Sequence, residues 1–160
     1  MEDALPSLNA VARPGFLVEY GRCLMNVGRY SAARSTLEDV RASDHGDAGD
    51  GPACRTTEAE NLLGEIALEQ GRVEDARAYI MSACDVKKCT HNTTQGLPLN
   101  LAKRLLALGE YDCVIAYCRT ASMVFGVENV QTKRLLEEAL SAKGRLEKNR
   151  VGGAGRHHPR

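Results

Sequence analysis

Apolar residues return along this chain at intervals of three and four, in blocks closed by glycine. Leu17, Tyr20, Leu24 and Val27 mark the first block, with Pro14 in its opening turn and Gly28 at its end. A stripe at that spacing is one face of a helix, and the glycine is a stop signal. Beyond Gly28, Tyr30, Ala33, Leu37 and Val40 keep the same rhythm, so residues 15–42 are predicted to form a helical hairpin. The pattern recurs twice. Leu62, Leu63, Ile66 and Ala67 precede Gly71, and Val73, Ala76, Ile80 and Ala83 follow it, giving a second hairpin over 57–85. Leu101, Leu105 and Leu108 precede Gly109, and Tyr111, Val114, Ile115, Cys118, Ala121 and Val124 follow it, giving a third over 97–125.

The segments between these blocks lack a period. Residues 43–54 gather Gly, Asp, Ser and Pro and are expected to be a mobile loop; 87–96 is a second polar break. Thr57 with Glu60 three residues later has the form of a capping box, which predicts that a helix begins at Thr57. Val130, Leu135, Leu136 and Leu140 define a last helix over 127–144 with no partner helix after it, read as a cap with a polar outer face. Residues 1–14 form a lead, and 145–160 carry too few apolar groups to offset chain entropy, so a disordered basic tail is expected there.

Three phrases sit at the turns: GRYSAAR at 28–34, GRVEDAR at 71–77 and GEYDCVI at 109–115. With them, Tyr20-Gly21, Leu63-Gly64 and Leu101-Ala102 fall at one position of each first helix. Ala33, Ala76 and Val114, followed four residues later by Leu37, Ile80 and Cys118, fall at one position of each second helix. On these residues, roughly 15 to 144, the chain resembles a tetratricopeptide repeat (TPR) protein. The glycine intervals are 43 and 38 residues rather than 34, and the two polar breaks hold the excess. The resemblance implies an all-α fold, a right-handed α-solenoid of three TPR-like hairpins plus a C-terminal capping helix. Gly21 and Gly64 are expected to let helix backbones approach, and Ala33 and Ala76 to fit the closest crossings.

In that family the first helix of each pair lines a concave groove that takes extended peptides. The matching positions here are Val18, Arg22, Met25 and Asn26, then Asn61, Glu65, Leu68 and Glu69, then Leu99, Lys103 and Leu106, with Asn100 at the edge. Both signs of charge and several amides suit a polypeptide. One subfamily grips a terminal carboxylate with Lys, Asn and Arg; the matching positions hold Val18, Arg22, Leu62, Gly96 and Asn100, so no such grip is expected.

Composition narrows the field. Net charge is zero over the 160 residues, but the last sixteen carry +4 and the rest −4, so the body lacks the basic footprint of a nucleic-acid reader. No apolar run has the length of a membrane span, and the first residues do not form a signal peptide, so a cytoplasmic protein is expected. The six cysteines are then reduced thiols rather than a disulfide framework.

Candidate chemistry is sparse. His45, His91, His157 and His158 fall in expected loops or tail, with no nucleophile elbow and no phosphate-binding glycine loop, so no enzyme and no cofactor are expected. Cys84, Cys89 and His91 are the candidates for a zinc or redox-sensing cluster, with Cys54, Cys113 or Cys118 as a fourth ligand, in a spacing that matches no common zinc motif. The leading expectation is a non-enzymatic module that recruits a protein or peptide. Its short array, with a terminal face left open, can also pair with a second copy.

Overall fold

The order of helices follows the glycine grammar closely. The computed structural model describes residues 12–42, 50–83, 98–125 and 129–153. Among them are seven helices and no strand: α1 (Ala12–Asn26), α2 (Tyr30–Ala42), α3 (Asp50–Glu69), α4 (Val73–Ser82), α5 (Asn100–Ala107), α6 (Tyr111–Phe125) and α7 (Val130–Gly153). The chain is all-α across these residues.

Three of the connections are one device used three times. Gly28, Gly71 and Gly109 have φ of 74°, 70° and 84°, the left-handed region in which a side chain costs about 1–2 kcal/mol. Gly28 N–H donates to Met25 O and Arg29 N–H to Leu24 O, both at 2.9 Å. Arg72 N–H reaches Ala67 O at 2.8 Å and Glu110 N–H reaches Leu105 O at 3.0 Å in the same way. This Schellman closure satisfies the carbonyls a helix end leaves open, and it sends the chain directly into the next helix. Tyr30, Val73 and Tyr111 accordingly are the first residues of α2, α4 and α6.

Within each pair the helices pack on each other, α1 on α2, α3 on α4 and α5 on α6; α2 also packs on α3, and α7 packs on α6. The first helices lie beside one another, α1 by α3 and α3 by α5. Their buried residues form two clusters. Leu17, Val18, Leu24, Leu37, Leu63 and Ile66 are among the residues of the first. Ala67, Ile80, Leu101, Leu105, Val114 and Leu135 are among those of the second. The clusters divide between adjacent residues of α3, Ile66 and Ala67, and Tyr79 packs against both.

The expectation for the small residues is half met. Ala33 and Ala76 are fully buried, as the close crossings require. Gly21 and Gly64, however, face leucine side chains rather than a neighbouring backbone. A Cβ on Gly21 would come within 2.8 Å of Leu37 Cδ2, and one on Gly64 would overlap Leu101 Cδ2 of the next hairpin.

Two boundaries differ from the sequence pattern. α3 starts at Asp50, so the last part of the expected loop is helical and Thr57 lies two turns inside. Pro52 sits in the first turn, where its missing N–H is not needed. The capping box does not form. Thr57 O instead accepts from Asn61 Nδ2 at 2.9 Å. Glu60 is buried between three helices, receiving Ser82 Oγ at 2.6 Å and facing Arg41 Nε at 3.3 Å. At the other end, α7 runs through Gly144 to Gly153, so the expected tail is helical over its first nine residues. Lys143 Nζ holds Asp112 of α6 at 2.6 Å and lies 4.0 Å from Glu147 one turn on, and Leu, Glu, Lys and Arg beyond it are good helix formers.

Candidate functional site

The first-helix face predicted to bind a partner is largely engaged within the protein itself. Val18 and Leu99 are buried core residues, and Asn61 is only 1% exposed. Its Nδ2 is bonded within α3, while its Oδ1 finds no partner among the described residues. Arg22 pairs with Glu58 of α3 and approaches Glu19 at 3.5 Å. Glu69 pairs with Arg104 of α5 at 2.7 Å. Glu65 lies between these pairs. Its partial burial raises the carboxyl pKa, Arg104 and then Arg22 pull it back, and Glu69 pushes it up. The charges expected to await a ligand thus join consecutive first helices, α1 to α3 and α3 to α5. Met25 and Leu68 are half-buried, and Asn26, Asn100 and Lys103 remain exposed.

Lys103 belongs to a different feature. α7 packs along α6 and makes no contact with α5 comparable to that of α5 with α3, and the space between α5 and α7 opens as a cleft of about 570 Å³. Its floor is apolar: Leu106 and Tyr111 on one side, buried Leu135 and half-buried Ala142 on the other. Its rim is charged. Lys103 stands on the α5 wall, and Arg134, Glu138 and Arg145 stand on the α7 wall with Gln131. Among the described residues no ion pair engages Lys103, Arg134 or Arg145, so three cations face one carboxylate.

Of the residues predicted for the groove, only Lys103 and Leu106 line this cleft. Gln131, Arg134, Glu138 and Arg145 were missed because α7 was read as a solvated cap ending at Gly144. The signal was present. Positions 131, 134, 138, 142 and 145 step by three and four and share one helix face. Four of these positions lie within 127–144, and Arg145 joins them once the helix is carried past Gly144.

The cysteines fall into separate groups. Cys84, Cys89 and His91 lie outside the described residues, as do the other three histidines and the side chain of Cys54. Among the described residues no group of three His, Cys, Asp or Glu is placed to hold a metal ion. Cys113 and Cys118 are buried in the second core cluster, and Cys113 Sγ donates to Glu110 O at 3.1 Å. Burial raises the Cys113 thiol pKa and pushes that of Cys118 up to about 11, so both are packed thiols rather than thiolates. Cys23 is a free, exposed thiol on α1. No helix among the described residues is long and apolar enough to cross a membrane.

Comparisons with protein-family models, with curated proteins and with solved structures found no match for this chain.

Proposed function

We propose that the chain is a non-enzymatic, TPR-like solenoid that holds a polypeptide partner in the cytoplasm, and that binding is seated at the α5–α7 end of the first-helix face. The observation that carries this reading is the cleft itself. An apolar floor ringed by polar groups that are not engaged within the protein is where a ligand gains both burial and orientation. The three identical glycine turns, the fully buried Ala33 and Ala76, and the side-by-side first helices support the solenoid part of the reading. On the faces of α1 and α3, a partner would first have to displace Arg22–Glu58 and Glu69–Arg104.

A photo-reactive phenylalanine analogue placed at Ala107, in the cleft, or at Asn26, on α1, tests the location. Both positions are exposed. Irradiation in cells of the native host, followed by mass spectrometry, is expected to give discrete polypeptide adducts from Ala107 and none from Asn26. Equal yields at the two positions, or adducts from neither, would reject the site.

A further inference from the structure

The rim of the cleft also says what chemistry the occupant carries. We infer that the α5–α7 cleft takes an acidic segment of a partner protein, in extended conformation, with carboxylates flanking a short apolar anchor; this rests on the polypeptide-binding reading above.

Lys103 on one wall and Arg134 and Arg145 on the other have no ion pair among the described residues, against a single carboxylate, Glu138. The cleft thus carries an excess of positive charge in a chain whose net charge is zero. α7 continues it outward with Lys148 and Arg150, while Glu147 is shared with Lys143. Guanidinium groups bind carboxylates through two parallel hydrogen bonds, which makes the two arginines the better-defined contacts and Lys103 the looser one.

Spacing follows from helix geometry. Arg134 and Arg145 are eleven residues apart on one face, about 16 Å along the axis at the usual rise. An extended chain covers that distance in about five residues, and because its side chains alternate, two that face the same helix stand an even number apart, about six here. The floor between the two arginines is Leu135 and Ala142, faced by Leu106 and Tyr111, so the residues between the carboxylates should be apolar. The pattern is an acidic residue, about five positions with aliphatic side chains on the same face among them, and a second acidic residue.

Nucleic acid fits less well. Its affinity comes from a row of phosphates meeting a row of cations, with bases stacked on aromatic rings. Here Glu138 interrupts the row on α7, and Tyr111 is the one aromatic side chain of the cleft among the described residues.

Fluorescence anisotropy with the full-length chain tests the inference. The probe is a labelled octapeptide with two aspartates six positions apart enclosing two leucines at the alternate positions between them. The controls are the same peptide with asparagines, the same peptide with glycines for the leucines, and a labelled oligothymidine 15-mer. The aspartate–leucine peptide is expected to bind most tightly. Affinity should fall at least tenfold for the asparagine control, and equally for Arg134→Glu/Arg145→Glu, with a further loss on raising salt. Circular dichroism checks that the double variant keeps its helices, and Lys103→Glu, an exposed change on the opposite wall, gives a second and smaller loss.

If the asparagine peptide binds equally and the charge reversals change nothing, the acidic occupant is overturned while a polypeptide site remains. If the oligothymidine binds more tightly than any peptide and the reversals abolish it, a nucleic acid replaces the peptide. If no peptide binds, the acidic-segment inference fails; adducts at Ala107 would then show that the broader reading stands without it.

Discussion

Glu69 on α3 and Arg104 on α5 meet at 2.7 Å across the seam between the second and third helical pairs, each 40% exposed. Lys103, one residue before Arg104, turns instead to the cleft. A pair this exposed stabilises by about 1 kcal/mol at most, so its weight lies in placing α5 against α3 and in fixing the charge around Glu65.

Glu65 gives a stability profile with a definite sign. Its carboxyl pKa is raised in the folded protein, chiefly by burial, so the folded state binds the proton more tightly than the unfolded one. Stability therefore falls as pH rises from the ordinary carboxylate value through the raised one, and is flat on either side. Glu65→Gln should raise the Tm at neutral pH and give no gain in acid below the ordinary value. Arg104→Met should push the Glu65 pKa further up and widen the window, because it removes the larger of the two opposing cations. Thermal melts across pH check both.

Gly64 should not tolerate a methyl group. The added Cβ would overlap Leu101 Cδ2 in a fully buried site, and overpacking of that kind costs about 1–3 kcal/mol. Leu101→Ala alone should cost about 2–5 kcal/mol through the cavity it leaves. The double variant should cost less than the sum, since the methyl enters space the leucine vacates. Urea titrations of the four proteins give the coupling, and strict additivity would mean that Leu101 is not what Gly64 accommodates.

The turn glycines differ in kind. Gly71 has nothing within reach of an added Cβ, so Gly71→Ala should cost about 1–2 kcal/mol from backbone strain alone. Gly71→Asn should cost less, because Asn tolerates the left-handed region. Equal losses in denaturant titrations would point to a side-chain role for this position instead.

Gly144 should behave in the opposite way. It lies inside α7 with open space around its Cα, and Gly144→Ala should stabilise by about 0.5–1 kcal/mol with a gain in helical circular dichroism. A loss of stability would mean that the helix stops there after all.

Much of the scaffold was legible because its turns are local chemistry. A glycine, a charged residue and a bulky residue are what the Schellman closure and the next helix start require, and all three turns occur where those residues fall. Boundaries without such a device were read wrongly. Nothing at Asp50 announces α3, and Thr57 with Glu60 resembles a cap only while the tertiary partners of Glu60, Arg41 and Ser82, are unknown. The site was less legible for a related reason. Repeat matching assigns a face, but it does not say which charges on that face are already paired. Arg22, Glu65 and Glu69 lie on or between helix-to-helix pairs, and two of the three unpaired cations of the cleft, Arg134 and Arg145, stand on a helix matched to no repeat.

The thiols should sort by burial. Alkylation of the native protein with iodoacetamide should modify the peptide carrying Cys23 quickly, and those carrying Cys113 and Cys118 about tenfold more slowly or less, since both are buried and held as thiols by raised pKa values. Denaturant should erase the difference, which peptide mapping by mass spectrometry resolves.

The division of the core between Ile66 and Ala67 bears on how the protein comes apart. α3 is one continuous helix that gives Ala59, Leu62, Leu63 and Ile66 to the first cluster and Ala67, with Leu68 against it, to the second, so neither cluster can loosen without drawing on the same twenty-residue rod. The chain should open as two cooperative units clasped by α3, with the slowest-exchanging amides in the C-terminal half of that helix, about Leu62 to Ala67, and earlier exchange towards α1 on one side and α7 on the other. A strain applied at the α5–α7 cleft would then reach the first pair of helices chiefly by twisting that rod, with Tyr79 of α4 as a second contact between the clusters, which makes α3 the main element that sets how far the two ends of the molecule can sense each other.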